Sequence, residues 1–278
     1  MKLKPALKSI TPPALLPVWH RMAPRPEWRF VADRWPHGDP RANGWDHGSI
    51  VEAQRRKWPS FISALSGTGP LGISHEDDVS NRVSLWAHNA VMTYAYVLAR
   101  AGIRGGPVSV LDFGGGLGHY FALGSKLLPE LRLDYTVVDL PGLCSAGREL
   151  LPSVRFEAEG AWKSRRYTLV LSSSSLQYAA EWDQLLLALA GAAQEWMYVT
   201  RIPTVRRSAG FVISQRPDHA GYSTEYIGWV LKHDELVSKA RSAGLELERE
   251  FFISEHCFVV GAPEQPRYFG YLFRKTSA

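Results

Sequence analysis

Short apolar runs and longer amphipathic stretches alternate regularly in the second half of the chain. The short runs are rich in β-branched residues and predict strands, whereas the longer stretches carry apolar residues at helical spacing. The predicted strands cover roughly residues 108–113, 132–139, 153–158, 167–172 and 195–200, and the predicted helices cover roughly 117–128, 142–150 and 181–193. Such alternation is typical of a parallel sheet with helices on both faces.

The end of the chain departs from this alternation. A helix predicted over 234–243 ends at Gly244, and two strands follow at 245–254 and 268–275, joined by a turn at 261–266. Consecutive strands joined by a turn form an antiparallel pair. The predicted fold class is therefore α/β: a doubly wound, mostly parallel seven-stranded sheet with an antiparallel C-terminal hairpin.

The first 104 residues follow a different pattern. Residues 1–48 are rich in Pro, Trp and Arg and predict irregular chain that wraps on the rest of the protein. Helices are predicted over 49–65 and 79–100, and the second ends at Gly102. We therefore divide the chain into a tryptophan-rich, irregular and helical cap segment, residues 1–104, and a sheet domain, residues 105–278.

The composition fits a globular protein, since 45% of the 278 residues are apolar and 21% are charged. Two cysteines, Cys144 and Cys257, are too few for a disulfide framework and indicate a reducing, cytoplasmic location. Prolines interrupt the N-terminus, so we expect no signal peptide, and no apolar window is long enough to span a membrane. His and Cys residues show no metal-ligand spacing, so we expect no metal site.

Positive charge is concentrated near the N-terminus. The net charge is +5, and residues 1–60 hold eleven Lys and Arg against five Asp and Glu. Such a segment suits an anionic membrane surface, a phosphate-bearing substrate or nucleic acid, and it also suits a plain solvated surface. Because the basic residues form neither a dense run nor a nucleic-acid motif, no nucleic-acid partner is expected. Peripheral membrane contact stays open.

The strand predicted at 108–113 leads into an acid and a glycine turn, Asp112-Phe-Gly-Gly-Gly-Leu-Gly118. Glycines between a strand and a helix bring backbone N–H groups close to a ligand. A dinucleotide fingerprint needs a third glycine where His119 stands, and a phosphate-binding loop needs Lys followed by Ser or Thr. Neither pattern fits. The spacing instead resembles motif I of class I S-adenosylmethionine-dependent methyltransferases.

That resemblance implies S-adenosylmethionine as the cofactor. In the family the glycine backbone passes under the amino-acid part of the cofactor, and the preceding acid engages its ammonium side. Asp139 ends the next strand, where it is placed to bind ribose hydroxyls, Leu140 then packs on the adenine, and Glu157 or Glu159 reaches the adenine amino group. The expected cofactor residues are Asp112, Gly114, Gly115, Gly116, Gly118, Asp139, Leu140, Glu159, Ser172 and Ser173.

The serine run after the fourth strand lies where motif IV of the family lies, beside the methionine part of the cofactor. Small hydroxyl residues let a backbone approach a ligand while they offer hydrogen bonds. After the fifth strand a long segment runs to about residue 233, and a loop of this length is typical of a substrate pocket or lid. The expected substrate contacts are Gln177, Tyr178, Arg201, Phe211, Tyr226 and Trp229.

Several segments together look like a little-characterised family of bacterial methyltransferases that are often found with surface-polysaccharide biosynthesis proteins. These segments are the glycine turn, 44–58, 172–178, 200–203, 211–215 and 222–229. The resemblance implies methyl transfer to a hydroxyl or amine of a sugar or glycan precursor. The strand end Val-Val-Asp139-Leu-Pro is instead reminiscent of small-molecule O-methyltransferases. An aromatic or natural-product acceptor therefore stays open, as does a non-catalytic protein that retains the fold.

Methyl transfer from a sulfonium is an in-line displacement that depends mainly on alignment of nucleophile, methyl carbon and sulfur. A general base helps when the nucleophile is a hydroxyl or a protonated amine. The candidates for that base are His119, His219 and Tyr222. His119 is so close to the cofactor turn that it could instead bind the methionine carboxylate.

Overall fold

The computed structural model describes residues 26–36, 44–74, 76, 84–158, 160–255 and 257–276. Within these ranges the helices are Gly48–Ser66 (α1), Leu85–Gly102 (α2), His119–Leu127 (α3), Pro141–Leu150 (α4), Trp182–Ala192 (α5) and His233–Ser242 (α6). The strands are Trp28–Ala32 (β1), Val108–Phe113 (β2), Leu133–Val138 (β3), Arg155–Glu157 (β4), Tyr167–Ser173 (β5), Ala193–Val205 (β6), Phe211–Gln215 (β7), Tyr226–Lys232 (β8), Leu245–Phe252 (β9), Val259–Val260 (β10) and Arg267–Lys275 (β11).

The predicted seven-stranded sheet is present, in the order β4-β3-β2-β5-β6-β11-β9. The first five of these strands are parallel, and β11 runs antiparallel to both β6 and β9. The α/β class and the antiparallel C-terminal pair are therefore confirmed. The carboxyl ends of β2, β3, β5 and β6 lie along one edge, where open α/β sheets bind their ligands.

Four further strands extend this sheet. β6 continues to Val205, its last residues pair with β8, and β7, β1 and β10 follow in that order. The predicted loop over 201–233 is therefore wrong, and so is the irregular chain predicted for 28–32. Every residue of β7 is buried, and a strand buried on both faces lacks the alternation by which a sequence indicates a strand.

Of the two helices of the predicted cap segment, α2 packs on β5 and β6, and α1 packs on α3 and α4. Ile50, Trp58 and Phe61 of α1 belong to one apolar cluster with Val110 of β2 and Tyr135 of β3. The second helix begins later than predicted, at residue 85, and the first residues predicted for it lie outside the described ranges. This packing places α1 against the carboxyl edge of the sheet.

Candidate active site

A cavity of about 680 Å³ lies at the carboxyl ends of β2, β3, β5 and β6. The predicted site residues on its wall are Gly114, Gly115, Gly116, His119, Asp139, Leu140, Ser173, Tyr178 and Arg201. Others that the sequence predicts lie behind the wall or away from it, namely Asp112, Gly118, Ser172, Gln177, Phe211, His219, Tyr222, Tyr226 and Trp229. Glu159 lies outside the described residues.

The glycine turn after β2 lines one end of the cavity. Gly114, Gly116 and Gly118 have φ angles of 74°, 59° and 90°, which residues with a Cβ rarely adopt. A Cβ on Gly114 would lie 2.3 Å from the Cβ of Ser175, and one on Gly116 would lie 3.0 Å from Oε1 of Gln54. Glycine is therefore required both by the turn and by the segments packed against it.

Asp112 is fully buried beneath this turn. Its Oδ2 accepts a hydrogen bond from the Tyr135 hydroxyl at 3.0 Å, and its Oδ1 has no partner among the described residues. Burial raises the pKa of Asp112 to about 7, and the bond from Tyr135 opposes part of that rise. A Cβ on Gly115 would lie 2.5 Å from Oδ2, so the carboxylate lies directly against the turn. The site thus contains a buried acceptor that lacks a donor.

Asp139 lies on the cavity wall, directly after β3. Its Oδ2 accepts a hydrogen bond from the N–H of Gly116, and its Oδ1 accepts one from the N–H of Leu140, each at 2.7 Å. Burial raises the pKa of Asp139 to about 6, while these two bonds oppose the rise. Because each carboxylate oxygen can accept two hydrogen bonds, both oxygens keep capacity for a ligand in the cavity.

Apolar side chains line the cavity beyond Asp139. Leu140 and Leu143 come from the start of α4, Trp162 from a short turn over 160–164, and Leu185 from α5. Leu140 is the residue that the sequence assigns to the adenine, whereas the other three were not predicted. The spacing of these three residues in the sequence does not indicate a shared site, because they come from three separate elements that the fold brings together.

The serines at the end of β5 have two different roles: one lies on the cavity wall, and another supports the wall from behind. Ser172 is fully buried, and its Oγ lies 2.9 Å from that of Ser175, which donates to the carbonyl of Phe113 at 2.7 Å. Ser173 reaches the cavity wall, and its Oγ lies 2.9 Å from the hydroxyl of Tyr120. Ser172 therefore fixes the edges of β2 and β5, and Ser173 is the serine of this predicted pair that faces the cavity.

Arg201 interrupts β6 with a left-handed backbone conformation, at a φ of 54°. The pairing of β6 with β11 shifts here, since Ile202 pairs with Phe269 and Val199 with Tyr271. Two residues of β6 thus oppose one of β11, which is a β-bulge, and a bulge changes the direction of a side chain. The Arg201 guanidinium reaches the cavity wall in this way, although Arg201 is only 5% exposed.

The Arg201 guanidinium is held from several sides. It donates to both carboxylate oxygens of Glu255 and to Glu76, each at 2.9 Å, and it lies 4.7 Å from the ring centre of Trp86. Burial disfavours its charge, but the two carboxylates outweigh burial and raise the pKa of Arg201 well above its usual value. Gln177 donates to the Arg201 carbonyl at 3.4 Å, so Gln177 supports the bulge.

Aromatic rings line another part of the cavity wall. Trp45 stacks on Tyr226 with ring centres 4.4 Å apart, and Tyr178 packs 5.0 Å from Trp45 and 5.1 Å from Tyr226. Trp45 and Tyr178 line the cavity, and Tyr226 supports them from behind. Tyr222 also lies behind Trp45, where its hydroxyl accepts a hydrogen bond from Gln54 at 3.3 Å. Burial raises the pKa of Tyr222, which keeps this phenol neutral and unsuited to act as a base.

The two predicted histidine bases lie in different surroundings. His119 begins α3 on the cavity wall, is 4% exposed, and packs edge-on against Trp58 and Phe61 at 5.0 Å each. His219 lies in a short turn over 218–220, half exposed, with its Nδ1 3.4 Å from Glu27. Among the three predicted bases, His119 alone reaches the cavity.

Phe211 and Trp229 were predicted to contact substrate, but neither reaches the cavity wall. Phe211 packs in an apolar cluster with Trp28 and Val259. Trp229 packs on the core beside α5, and its Nε1 donates to the carbonyl of Ala180 at 3.1 Å. Both residues belong to strands of the sheet extension, so their side chains serve packing there.

Three wall residues from the first 104 positions were not predicted as site residues: Trp45, Gln54 and Glu76. Glu76 lies in an acidic stretch, Glu76-Asp-Asp78, and Gln54 lies in a predicted helix. Trp45 could have been expected at the site, because the tryptophan-rich segment around it is part of the family resemblance. Gln54 and Glu76 depend on distant partners in the fold, and no local motif marks them.

The basic N-terminal segment is only partly described. Arg55 pairs with Glu149 at 2.6 Å, whereas Lys57 is 6% exposed and donates to the carbonyls of Glu76 and Ala220. Lys57 is therefore not part of a basic surface, and membrane contact by the segment stays a prediction. None of the described helices has the length and apolar character needed to cross a membrane. Nor do the described residues include three or more His, Cys, Asp or Glu side chains arranged to hold a metal ion.

No protein-family model matches the sequence, and no curated protein matches it significantly. Among solved structures, the chain is similar to 1,6-didemethyltoxoflavin-N1-methyltransferase from Burkholderia thailandensis, which was solved with 1,6-didemethyltoxoflavin and S-adenosylhomocysteine. The identity is 16%, the TM-score is 0.50, and the match covers 89% of this chain and 95% of that one. The chain is also similar to the 4+2 cyclase SpnF, with 13% identity, a TM-score of 0.51, and coverage of 91% and 100%.

Similarity at these identities establishes the fold. The association with polysaccharide biosynthesis finds no support in it, and a cyclase and a methyltransferase share the same architecture. The reaction must therefore be argued from the site. The chain has the Rossmann-like fold of S-adenosylmethionine-dependent methyltransferases.

Proposed function

We propose that this protein is an S-adenosylmethionine-dependent methyltransferase that acts on a hydroxyl or amine of a small-molecule acceptor. The observation that carries the proposal is one cavity whose wall includes the glycine turn and Asp139 as well as Trp45, Tyr178 and Glu76. A single cavity can hold a methyl donor and an acceptor in contact, as an in-line displacement requires.

The residues of the glycine-turn end fit this cofactor. Asp112 lies beneath the glycine turn, behind the cavity wall, and one of its buried oxygens has no donor among the described residues. Its negative charge there suits the ammonium side of the cofactor above the turn, because a buried acceptor without a partner is costly. Asp139 keeps acceptor capacity for ribose hydroxyls, and Leu140 and Trp162 offer apolar surface for the adenine. When bound, the cofactor supplies a methyl group activated by a positively charged sulfur.

The wall residues Trp45, Tyr178 and Glu76 form the acceptor end of the cavity and hold the acceptor there. Trp45 and Tyr178 offer aromatic surface for a ring, and we assign His119 as the group that takes a proton from the acceptor, since it is the one of the three predicted bases that lies on the cavity wall. In this proposal residues 1–104 supply much of the acceptor wall, and residues 105–278 supply the cofactor end.

A carrier-linked glycan precursor fits this wall less well than a small molecule. The cationic residues that the described chain places on the wall are Lys163, near the apolar adenine end, and Arg201. Arg201 is already paired with Glu255 and Glu76. Neither residue offers the acceptor end an uncompensated positive charge with which to bind a phosphate.

The proposed cofactor site is tested by titrating S-adenosylhomocysteine into the Asp139→Ala variant by calorimetry. The affinity is expected to fall about 30-fold, since two hydrogen bonds to a carboxylate are lost and contribute together about 2 kcal/mol. Asp134→Ala, which removes an exposed carboxylate from the same strand, is the matched control and should bind as the wild type does. Unchanged binding in Asp139→Ala would refute the assigned site.

Methyl transfer itself is tested by incubating the wild-type protein with S-adenosylmethionine labelled on the methyl group and a panel of small phenols and amines. Labelled product with at least one acceptor class is expected. If the protein binds S-adenosylhomocysteine but labels no acceptor in a broad panel that also includes sugars, it retains the fold without this activity.

A further inference from the structure

Arg201 joins two carboxylates at the acceptor end of the cavity. Its guanidinium lies 2.9 Å from both Glu255 and Glu76, so one positive charge serves two negative ones. Glu76 lies on the cavity wall. The arrangement therefore presents a carboxylate to the cavity, with the arginine and the second carboxylate as its support.

Other charged groups lie near the two carboxylates that Arg201 joins. Lys57 contributes one cation, and its Nζ lies 2.5 Å from the backbone carbonyl of Glu76. Glu27 contributes a third carboxylate that acts electrostatically on Glu255. Glu27 lies 3.4 Å from Nδ1 of His219, and neither Glu27 nor Glu255 is on the cavity wall, so Glu76 is the carboxylate of these three that reaches it.

Aromatic rings lie near Glu76, whose carboxylate acts electrostatically on Tyr178. Trp45 and Tyr178 line the cavity with their centres 5.0 Å apart. The Tyr178 hydroxyl donates to Gln215 at 3.2 Å, and burial raises the pKa of Tyr178, so the ring stays a neutral phenol. The faces of such rings attract cations, and they do so more strongly where water is excluded.

From the carboxylate and the rings together, we propose that the acceptor carries a cationic nitrogen, which binds to Glu76 against Trp45 and Tyr178. This inference rests on the proposed function and names the substrate class for it, a small amine. Glu76 is the specificity residue, and Arg201 and Glu255 are positioning residues that fix the direction of its carboxylate.

The inference is tested on protein saturated with S-adenosylhomocysteine, using three probes of matched shape and different charge. The probes are 2-phenylethylamine, 2-phenylethanol and 3-phenylpropionate, and their binding is measured by titration under saturation-transfer NMR. The amine is expected to bind at least about tenfold more tightly than the other two, because a charge-assisted hydrogen bond is worth that factor or more. Glu76→Gln should abolish the preference, and Glu149→Gln, an exposed carboxylate outside the cavity, should retain it.

Two checks allow the test to be interpreted even if a variant folds poorly. Glu76→Gln must keep wild-type affinity for S-adenosylhomocysteine, and Trp45→Leu should weaken amine binding while it leaves the charges unchanged. The inference is overturned if the alcohol or the carboxylate binds as tightly as the amine, if none of the three binds, or if Glu76→Gln keeps the preference. If the wild-type protein does not bind S-adenosylhomocysteine, the proposed function is contradicted instead. That outcome is distinguishable because S-adenosylhomocysteine is titrated without the probes.

Discussion

The two ends of the cavity are built in different ways. The cofactor end is mostly local in sequence, because the turn after β2 and the acid after β3 both lie within residues 112–140. Backbone N–H groups of this stretch hold the Asp139 carboxylate in place. The acceptor end joins Trp45, Glu76, Tyr178 and Arg201, which lie far apart in the chain. Changes at the first end should therefore disturb the backbone and the cofactor together, whereas changes at the second should alter acceptor choice alone.

The largest expected effect comes from Gly114→Ala. This residue has a positive φ, and the new Cβ would lie 2.3 Å from that of Ser175, so the turn must move. We expect a loss of about 3 kcal/mol in the free energy of unfolding, with S-adenosylhomocysteine affinity reduced at least about 100-fold. Chemical denaturation and calorimetry measure the two quantities.

Gly191→Ala is the matched control for this change. Gly191 lies in α5, where an added Cβ would meet nothing within 4 Å, so the variant should be as stable as the wild type or more stable by up to about 1 kcal/mol. If Gly114→Ala binds S-adenosylhomocysteine as well as this control does, the cofactor end does not depend on its backbone, and the contrast between the two ends fails.

An intermediate effect is expected from pH. Burial raises the pKa of Asp112 to about 7 and that of Asp139 to about 6, from an ordinary value of 3.8. The folded protein thus holds these protons more tightly than the unfolded chain, and their contribution to stability falls as the pH rises from 3.8 to about 7. A bound ammonium group favours ionised Asp112. S-adenosylhomocysteine affinity should therefore rise with pH, by up to about tenfold per unit, and level off above about 7.

Calorimetry from pH 5.5 to 8 at constant ionic strength measures this dependence. Asp112→Asn should bind more weakly at pH 8 and show a flatter profile, because the main titrating group is gone. A wild-type profile that is flat, or that falls with pH, would contradict the pairing of Asp112 with the ammonium side of the cofactor.

The smallest expected effect comes from Gln54→Ala, which tests whether the two ends are independent. The Gln54 amide donates to Tyr222 behind the aromatic wall, and its Oε1 lies against Gly116 of the glycine turn. The variant should bind S-adenosylhomocysteine and the amine probe more weakly by similar factors of about three to five, since it loses about 1 kcal/mol of hydrogen bonding and packing. Gln194→Ala, on the exposed side of β6, is the control. A loss confined to one ligand would place Gln54 at that end alone.

The cofactor end could be predicted from sequence because its chemistry is contained in short segments. The spacing from Asp112 to Gly118 defines a strand, a turn and a helix start, and Asp139 follows from the end of the next apolar run. Parallel strands bring such ends together regardless of the side chains elsewhere. The same rule explains why Tyr178, which follows β5, and Arg201, which lies late in β6, were expected near the site, and both lie on the cavity wall.

The acceptor end could be predicted only in part, because tertiary packing assembles it. Arg201 was expected to contact substrate, but the bulge that turns it and the partners that hold it depend on β11 and on residues from both halves of the chain. Phe211 and Trp229 were misplaced because two strands were taken for a loop. Glu76 has no local pattern that separates it from an ordinary acidic turn.

The sheet extension joins parts of the chain that are made at very different times. β1 lies between β7 and β10, and Trp28 pairs with Val259. Contacts of such long sequence separation form late in folding, because the entropy of closing the loop must be lost first. During synthesis the early strand therefore lacks its partner β7 until residue 215 has left the ribosome, and its partner β10 until residue 260 has. A nascent chain halted before residue 259 should bind the cofactor poorly and expose an unpaired strand edge, which is a site for aggregation.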